Sequence, residues 1–562
     1  MIAGRASGGS QGALHFRCDA LLVSGGWNPA LHLFAQAGGK LALHEDTLAL
    51  QPASEVSNFE IVGSASDPVR GPIGPRISGR GNSARQWVDL LHDVTVSDLE
   101  LALRENFASI EHVKRFTTQG MSADQGKTSS PAALEIVARL RGCSPRELGT
   151  TTLRPPFAPV TIGAIAGRGL GERFVPSRAS PLHSWHVANG AFIEHYGEWQ
   201  RPTVYLRDGE SREQATQREA RAVRTGVGLF DASPLGKIEI LGPDAREFLD
   251  SFYINNLATL APLRVRYGLM LRESGVIYDD GTVVALGPER LLITTTSGQS
   301  NAIAAWLEEW RQCEWPHLRV AIAPVTDQWA TLTLAGPRAR EVLARLRPDC
   351  DVSNEAFPHF GLRETRLLGH PVRIGRVSFS GELSYEINVP ADAGREVWEA
   401  LAHEGRDARI APYGVDAVLL LRLEKGFLHV GSDTDGTTIP DDVGWGKAAA
   451  AKSRDFIGKR SLQLAEHRRA DRLQLVGLRG HAAPVPAGSH LRFVGSDEVT
   501  DGWITSAGIG VLDGAPVALA MLRGGRARRG AEVTVHDSGR AIAIARVTGT
   551  VFYDPSGERM NA

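Results

Sequence analysis

Cysteine is scarce: four residues in 562, Cys18, Cys143, Cys313 and Cys350, lie far apart and form no C-x-x-C pair. This excludes a disulfide scaffold and the usual zinc-ligand spacings, so no metal is expected and a reducing, cytoplasmic setting fits best. No apolar run approaches the roughly 18 residues that would cross a bilayer. The opening "MIAGRASGGSQG" lacks the apolar core of a secretory leader. Neither charge sign is in excess, with 62 Lys and Arg against 64 Asp and Glu and a net charge of -2. No overall field therefore draws the chain to nucleic acid or to an anionic membrane, and "GGRARRG" reads as a solvated loop. A dinucleotide fingerprint is also missing. "GRGLGE" near Gly167 follows no strand and opens no helix, so NAD binding by this chain alone is not expected.

What is present suits roughly three or four domains. The first part holds a strand-like "ALLVSGGWNPALHLF" (Ala20 to Phe34) and a Gly/Pro-rich linker, "VRGPIGPRISGRGNSA". A helical block follows, where Ser97 and Glu100 have the spacing of a capping box. "SSPAALEIVARLRG" reads as a helix with Ser130 as N-cap, Pro131 at N1 and Gly142 at its end. The loop between, "KRFTTQGMSADQGKTSS", has the composition to hold an anion ahead of that helix. It reads equally as a polar connection.

The centre of the chain repeats itself. "GKIEILGPDAREFLDSF" recurs as "WATLTLAGPRAREVLARL", with Gly-Pro pairs at Gly242 and Gly336, 94 residues apart. Each copy is an alternating strand and an amphipathic helix, followed by further strands and a second helix. That order, given twice, predicts an α+β fold made of two related modules. From Asp471 onward, short alternating runs separated by glycine predict a small antiparallel barrel.

"GVIYDDGTVV", Gly275 to Val284, lies in the first copy. Alternation puts Asp280 on one face with Tyr278 and Thr282, and Asp279 on the other with Ile277 and Val283. A turn pair beside Gly281 is the plain alternative.

"PLHSWHVANGAFIEHYGEWQRPTVY", "GVIYDDGTVV", "LTLAGPRAR", "VSFSGELSYEINVP", "LRLEKGF" with "GSDTDGTTIP", and "VFYDPSGER" occur in the order found in glycine cleavage T-proteins. From about Ser180 to Gly557 the chain therefore resembles the aminomethyltransferase family. The upstream "DLLHDVTVSDLELALRENFASIEHVKRFTTQGMSADQGKTSS" and "TTLRPPFAPVTIGAIAG" resemble α subunits of heterotetrameric sarcosine oxidases. The resemblance implies four parts: residues 1–82, the remnant of a dinucleotide-binding domain; 83–178, helical; 179–470, the duplicated folate-binding module; and 471–562, the barrel.

The resemblance also implies a reaction. Flavin in a β subunit oxidises an N-methyl amino acid, and the one-carbon unit passes to tetrahydrofolate as 5,10-methylenetetrahydrofolate. Asp280 matches the folate-facing acid and would point inward, with Asp279 turned away. Glu382 matches a glutamate that bonds the pterin edge, and Tyr267 and Tyr385 would wall the pterin. Arg422 borders the site or forms an internal ion pair with Glu424. Lys114, Arg115, Thr117, Thr118 and Lys127 would face an FMN shared with the β subunit. Implied partners are β, γ and δ-like subunits, and a separate dinucleotide-domain polypeptide if the missing half is supplied by another chain. Two other readings stay open: the glycine-cleavage enzyme itself, and a noncatalytic folate-binding scaffold. A folate-binding regulator of iron-sulfur assembly is disfavoured, because Phe427 stands where that protein has cysteine.

Overall fold

The computed structural model describes residues 27–45, 47, 49–66, 85–169, 176–480, 482–496 and 500–562, with the backbone of 2–4 and 14–16. Cys18, residues 20–26 of the first strand-like run and the Gly/Pro-rich linker lie outside the described residues. The chain divides into two compact units, 1–174 and 175–562.

In the first unit, helices α1 (Val96–Arg104), α2 (Ile110–Thr117) and α3 (Ser130–Arg141) bury Leu99, Ala102, Val113 and Val137 against one another. The start of α1 differs from the sequence expectation. Its N-cap is Thr95, whose backbone N–H and hydroxyl donate to Asp98 Oδ2 at 2.8 and 2.7 Å. Thr95 is the last extended residue of a short strand pair, which fixes the helix start ahead of Ser97. Helix α3 is capped one residue earlier than expected, at Ser129, and Gly142 closes it with φ 68°.

Near its start the second unit has an antiparallel hairpin, Ala191–Tyr196 and Trp199–Tyr205, to which Arg178–Ala179 adds in parallel, and then helix α4 (Arg212–Thr225). Strand β1 (Gly228–Asp231) precedes the repeats. The first repeat runs β2 (Gly236–Leu241), α5 (Ala245–Asp250), β3 (Val265–Leu271), β4 (Ile277–Gly287), β5 (Arg290–Thr295) and α6 (Ser300–Cys313). After β6 (Ala321–Pro324), the second runs β7 (Trp329–Ala335), α7 (Ala339–Arg345), β8 (Leu362–Leu367), β9 (His370–Gly375), β10 (Ser384–Pro390) and α8 (Gly394–Glu404). Strand β11 (Ala411–Pro412) and helix α9 (Val415–Lys425) follow.

The two sheets have orders β3-β4-β5-β2-β6 and β8-β9-β10-β7-β1-β11. In each, a three-strand meander returns to pair with the strand that opens its repeat, so the sequence duplication is also a duplication of topology. Each repeat has its own core, centred on Phe248, Phe252 and Ile293 in the first and on Leu334, Phe357 and Trp398 in the second. A further cluster joins both repeats to the barrel through Phe230, Leu269, Tyr413, Leu421 and Leu519. Each such side chain contributes about 1.5–3 kcal/mol of burial.

Strands β12 (Leu473–Arg479), β13 (His490–Phe493), β14 (Gly502–Ile509), β15 (Pro516–Arg523), β16 (Glu532–Asp537) and β17 (Arg540–Thr548) close in the order β12-β15-β14-β13-β16-β17. This is the small barrel expected from the alternating runs, and closure leaves it no free edge. Among the described residues no helix is long and apolar enough to cross a membrane.

Candidate functional site

Strand β4 continues through the Asp-Asp-Gly segment without turning, paired to β3 with Leu269 opposite Asp280 and Gly268 opposite Gly281. The turn pair, the plain alternative beside Gly281, does not form. Asp279 is wholly buried, while Asp280 is half-buried. Alternation separates the two carboxylates, and the face that carries Asp279 with Ile277 and Val283 is packed interior.

Asp280 Oδ2 accepts a hydrogen bond from the Tyr267 hydroxyl at 2.7 Å. The Tyr267 ring packs against Trp445 with centroids 5.2 Å apart. These two aromatics, with Phe360, Arg264 and Arg266, line a cleft of about 550 Å³, within the size range of small-molecule sites. Burial pushes the Asp280 carboxyl up to about 6, and the Tyr267 hydrogen bond works against that rise by favouring the ionised form. Asp279 is pushed up to about 7 by burial and then by the charge of Asp280. Its Oδ2 accepts the Thr296 amide at 3.1 Å, while Oδ1 has no partner.

Glu382 lies just before β10 and is fully buried. Its Oε1 accepts from Arg224 at 3.0 Å and from the Tyr553 hydroxyl at 2.6 Å. Arg224, on α4, also donates to Glu424 Oε2 at 3.0 and 2.8 Å and stacks over Tyr553. Glu382 Oε2 is buried without a partner and is therefore an open acceptor.

The sequence reading missed Glu386, four residues further along. It is half-buried, makes no side-chain hydrogen bond among the described residues, and is pushed up to about 7 by burial. Lys237 supplies the opposing charge. The signal was present, since Glu382, Ser384 and Glu386 share one strand face, opposite Tyr385. Tyr385 itself is fully buried between Phe357 and Arg340. No part of its ring reaches a cleft, so it does not wall a ligand.

Arg422 pairs with Asp433, reaches Ser506 of the barrel and donates to the Phe427 carbonyl at 3.2 Å. It is an internal clamp, and its acid is Asp433, not Glu424.

The five residues expected to face a flavin phosphate lie in the first unit. Thr117 Oγ1 donates to Val113 O at 2.8 Å within its own helix. Thr118 is exposed with φ 63°, and Lys127 Nζ is committed to the Phe157 carbonyl and ring. Two carboxylates of the chain bond within the loop ahead of α3. Asp89 accepts from Gly120 N at 2.7 Å and Ser129 Oγ at 3.2 Å, and Asp124 accepts from Gly126 N at 3.0 Å. Lys114 and Arg115 are the cations of this segment left without a hydrogen-bond partner among the described residues.

Two topologically matched sheets followed by a closed barrel define a protein of the aminomethyltransferase type. Family models agree: the GCVT N-terminal domain matches residues 182–453, the glycine cleavage T-protein C-terminal barrel domain 473–554, and the sarcosine oxidase A3 domain 83–168. The Streptomyces coelicolor aminomethyltransferase is 32% identical, with 63% of this chain and 92% of that one covered. The crystal structure of aminomethyltransferase T from Bartonella henselae superposes with a TM-score of 0.58 at 25% identity, covering 67% of this chain and 98% of that one. The chain belongs to the aminomethyltransferase family and is, more narrowly, a homologue of sarcosine oxidase α subunits. It is 39% identical to the α subunit from Corynebacterium sp. strain U-96 over 97% of its own length, and it spans 62% of that relative.

Proposed function

We propose that this chain is the folate-binding, one-carbon-transferring part of a sarcosine oxidase-like complex. Its companions would be β, γ and δ-like subunits, with a flavin, FMN shared with the β subunit, oxidising an N-methyl amino acid such as sarcosine. The Asp280–Tyr267 pair carries this reading. Reduced folate, when bound, supplies the nitrogens that accept the one-carbon unit, giving 5,10-methylenetetrahydrofolate and releasing the demethylated amino acid. An acid near 6 is largely ionised at neutral pH yet basic enough to take a proton from an attacking amine. Tyr267 holds that carboxylate in one orientation. Glu382 Oε2 and the Glu386 carboxylate offer acceptors to the donor-rich edge of a pterin. The cleft beside Tyr267 has room for the remainder of the cofactor.

The test uses the chain co-expressed with its partner subunits. Asp280→Asn should leave oxidation of the N-methyl amino acid intact and lower tetrahydrofolate-dependent capture roughly 10²–10⁴-fold, with formaldehyde appearing instead. Capture at the wild-type rate in this variant would refute the assignment. A second reading, a glycine-cleavage aminomethyltransferase, is supported by relatives that match over 92% or more of their length. It predicts transfer from a lipoyl-bound aminomethyl group without any flavin, an assay that separates the two.

A further inference from the structure

Arg201 stands on the second strand of the hairpin near the start of the second unit, and 8% of its surface is exposed. Its guanidinium lies 5.5 Å from the Phe230 ring centroid and 5.9 Å from that of Tyr196. Among the described residues it makes no ion pair and no side-chain hydrogen bond, and Nε is buried without a partner. A buried, unpaired cation is costly, because desolvation is not offset by any acceptor.

The neighbouring acids do not fill the role. Asp231 is spent on His186 Nε2 at 3.0 Å, Ser180 Oγ at 2.5 Å and Ser233 N at 2.9 Å. Lys237, a second buried cation nearby, donates to the Ser233 and Leu235 carbonyls at 3.2 and 2.8 Å. Glu386, which makes no side-chain hydrogen bond among the described residues, faces Lys237, and Asp231 acts on Arg201 only through its charge. Phe230 and Tyr196 belong to the cluster that also holds Tyr267 and Trp445. Arg264 and Arg266, at the cleft mouth, are partly solvated and suit a ligand tail that runs outward. An enclosed guanidinium instead suits a small anion that becomes enclosed with it.

We propose that Arg201 receives the carboxylate of the one-carbon donor, an amino acid carrying a methylene group on its nitrogen. The site would thereby select amino-acid-derived donors over simple amines. This rests on the function proposed above, and the experiment separates the two. In the holo-complex, Arg201→Met should leave flavin reduction by the N-methyl amino acid unchanged. It should cut the captured fraction of one-carbon units roughly 30-fold or more, with the balance released as formaldehyde. Its melting temperature should rise by a few degrees, because a buried unpaired charge has gone; a merely structural arginine would lower it. Arg201→Lys should restore part of the capture.

Normal capture by Arg201→Met overturns this proposal and leaves the function standing, whereas absence of capture in the wild type overturns the function first. Tetrahydrofolate and tetrahydropteroate, which lacks the glutamate, identify the carboxylate. Equal affinities of the variant and wild type for both support the donor. Weakening for tetrahydrofolate alone assigns Arg201 to the cofactor's tail and overturns the proposal. Calorimetry on the wild-type complex with tetrahydrofolate bound needs no variant: glycine should bind and methylammonium should not. Absence of glycine binding at millimolar concentration also overturns it.

Discussion

The Tyr267 hydroxyl and Asp280 Oδ2 meet at 2.7 Å across the β3–β4 pair, two residues out of register from direct opposition and so on the same face of the sheet. That hydrogen bond stabilises the ionised acid, so it pulls down a carboxyl that burial has pushed up to about 6. Tyr267→Phe removes the pull while keeping the ring against Trp445. A hydrogen bond to a charged group corresponds to roughly 1–2 pH units, so the acidic limb of the capture profile should move upward by that amount. The pH dependence of kcat/KM for tetrahydrofolate-dependent capture measures it. An unmoved midpoint would mean that the pair does not tune the acid.

Asp279 makes a different prediction, about folding. Its carboxyl is raised to about 7, above its ordinary value near 4 in an unfolded chain, so the folded protein holds the proton more tightly. The stability from that proton is present in full below pH 4 and is lost as pH rises through 7. Asp279→Asn keeps the acceptor for the Thr296 amide and cannot ionise. It should therefore be near wild type in stability at low pH and more stable by about 4 kcal/mol at pH 8. Urea midpoints at the two pH values give the comparison, and an equal difference at both would contradict it.

The duplication was legible because both copies keep strand periodicity, a Gly-Pro helix start and an amphipathic helix. The barrel was legible because its strands alternate. Within the site, Asp280 and Tyr267 could be named because local strand alternation and the family motif both point to them. Arg224 and Tyr553 could not, since their roles depend on pairs far apart in sequence, such as Tyr553 with Glu382. Tyr385 was misread for a related reason. Its motif neighbours point into the site, but alternation sends Tyr385 to the opposite, packed face. The role of Asp89 in the loop ahead of α3 was not legible either, because its partner Gly120 lies thirty-one residues further along.

Gly281 explains why the acid pair is followed by glycine. A Cβ there would lie 1.9 Å from the Thr294 carbonyl oxygen on β5, a backbone atom that cannot step aside. Gly281→Ala should push β4 from β5 and displace Asp280 with it. The expected outcome is a loss of about 1–3 kcal/mol in urea denaturation, with a fall in capture exceeding any fall in folate affinity. Alanine tolerated without loss on either measure would show that the strands separate freely here.

Arg224 joins three segments by holding Glu382 at 3.0 Å, Glu424 at 2.8 Å and the Ser380 carbonyl at 2.7 Å, all out of solvent. Removing the cation leaves two buried carboxylates without their shared charge, Glu382 holding only the Tyr553 hydroxyl and Glu424 the Val511 amide. Arg224→Met should therefore cost about 3–5 kcal/mol, more than an ordinary cavity of that size. Neutralising the acids together removes the uncompensated charge, so Arg224→Met combined with Glu382→Gln and Glu424→Gln should recover part of that stability despite carrying more substitutions. Thermal and urea unfolding of the single and triple variants decide the point. Additive losses would show that the three side chains pack independently, whereas recovery would show that charge balance holds α4, α9 and the start of β10 together.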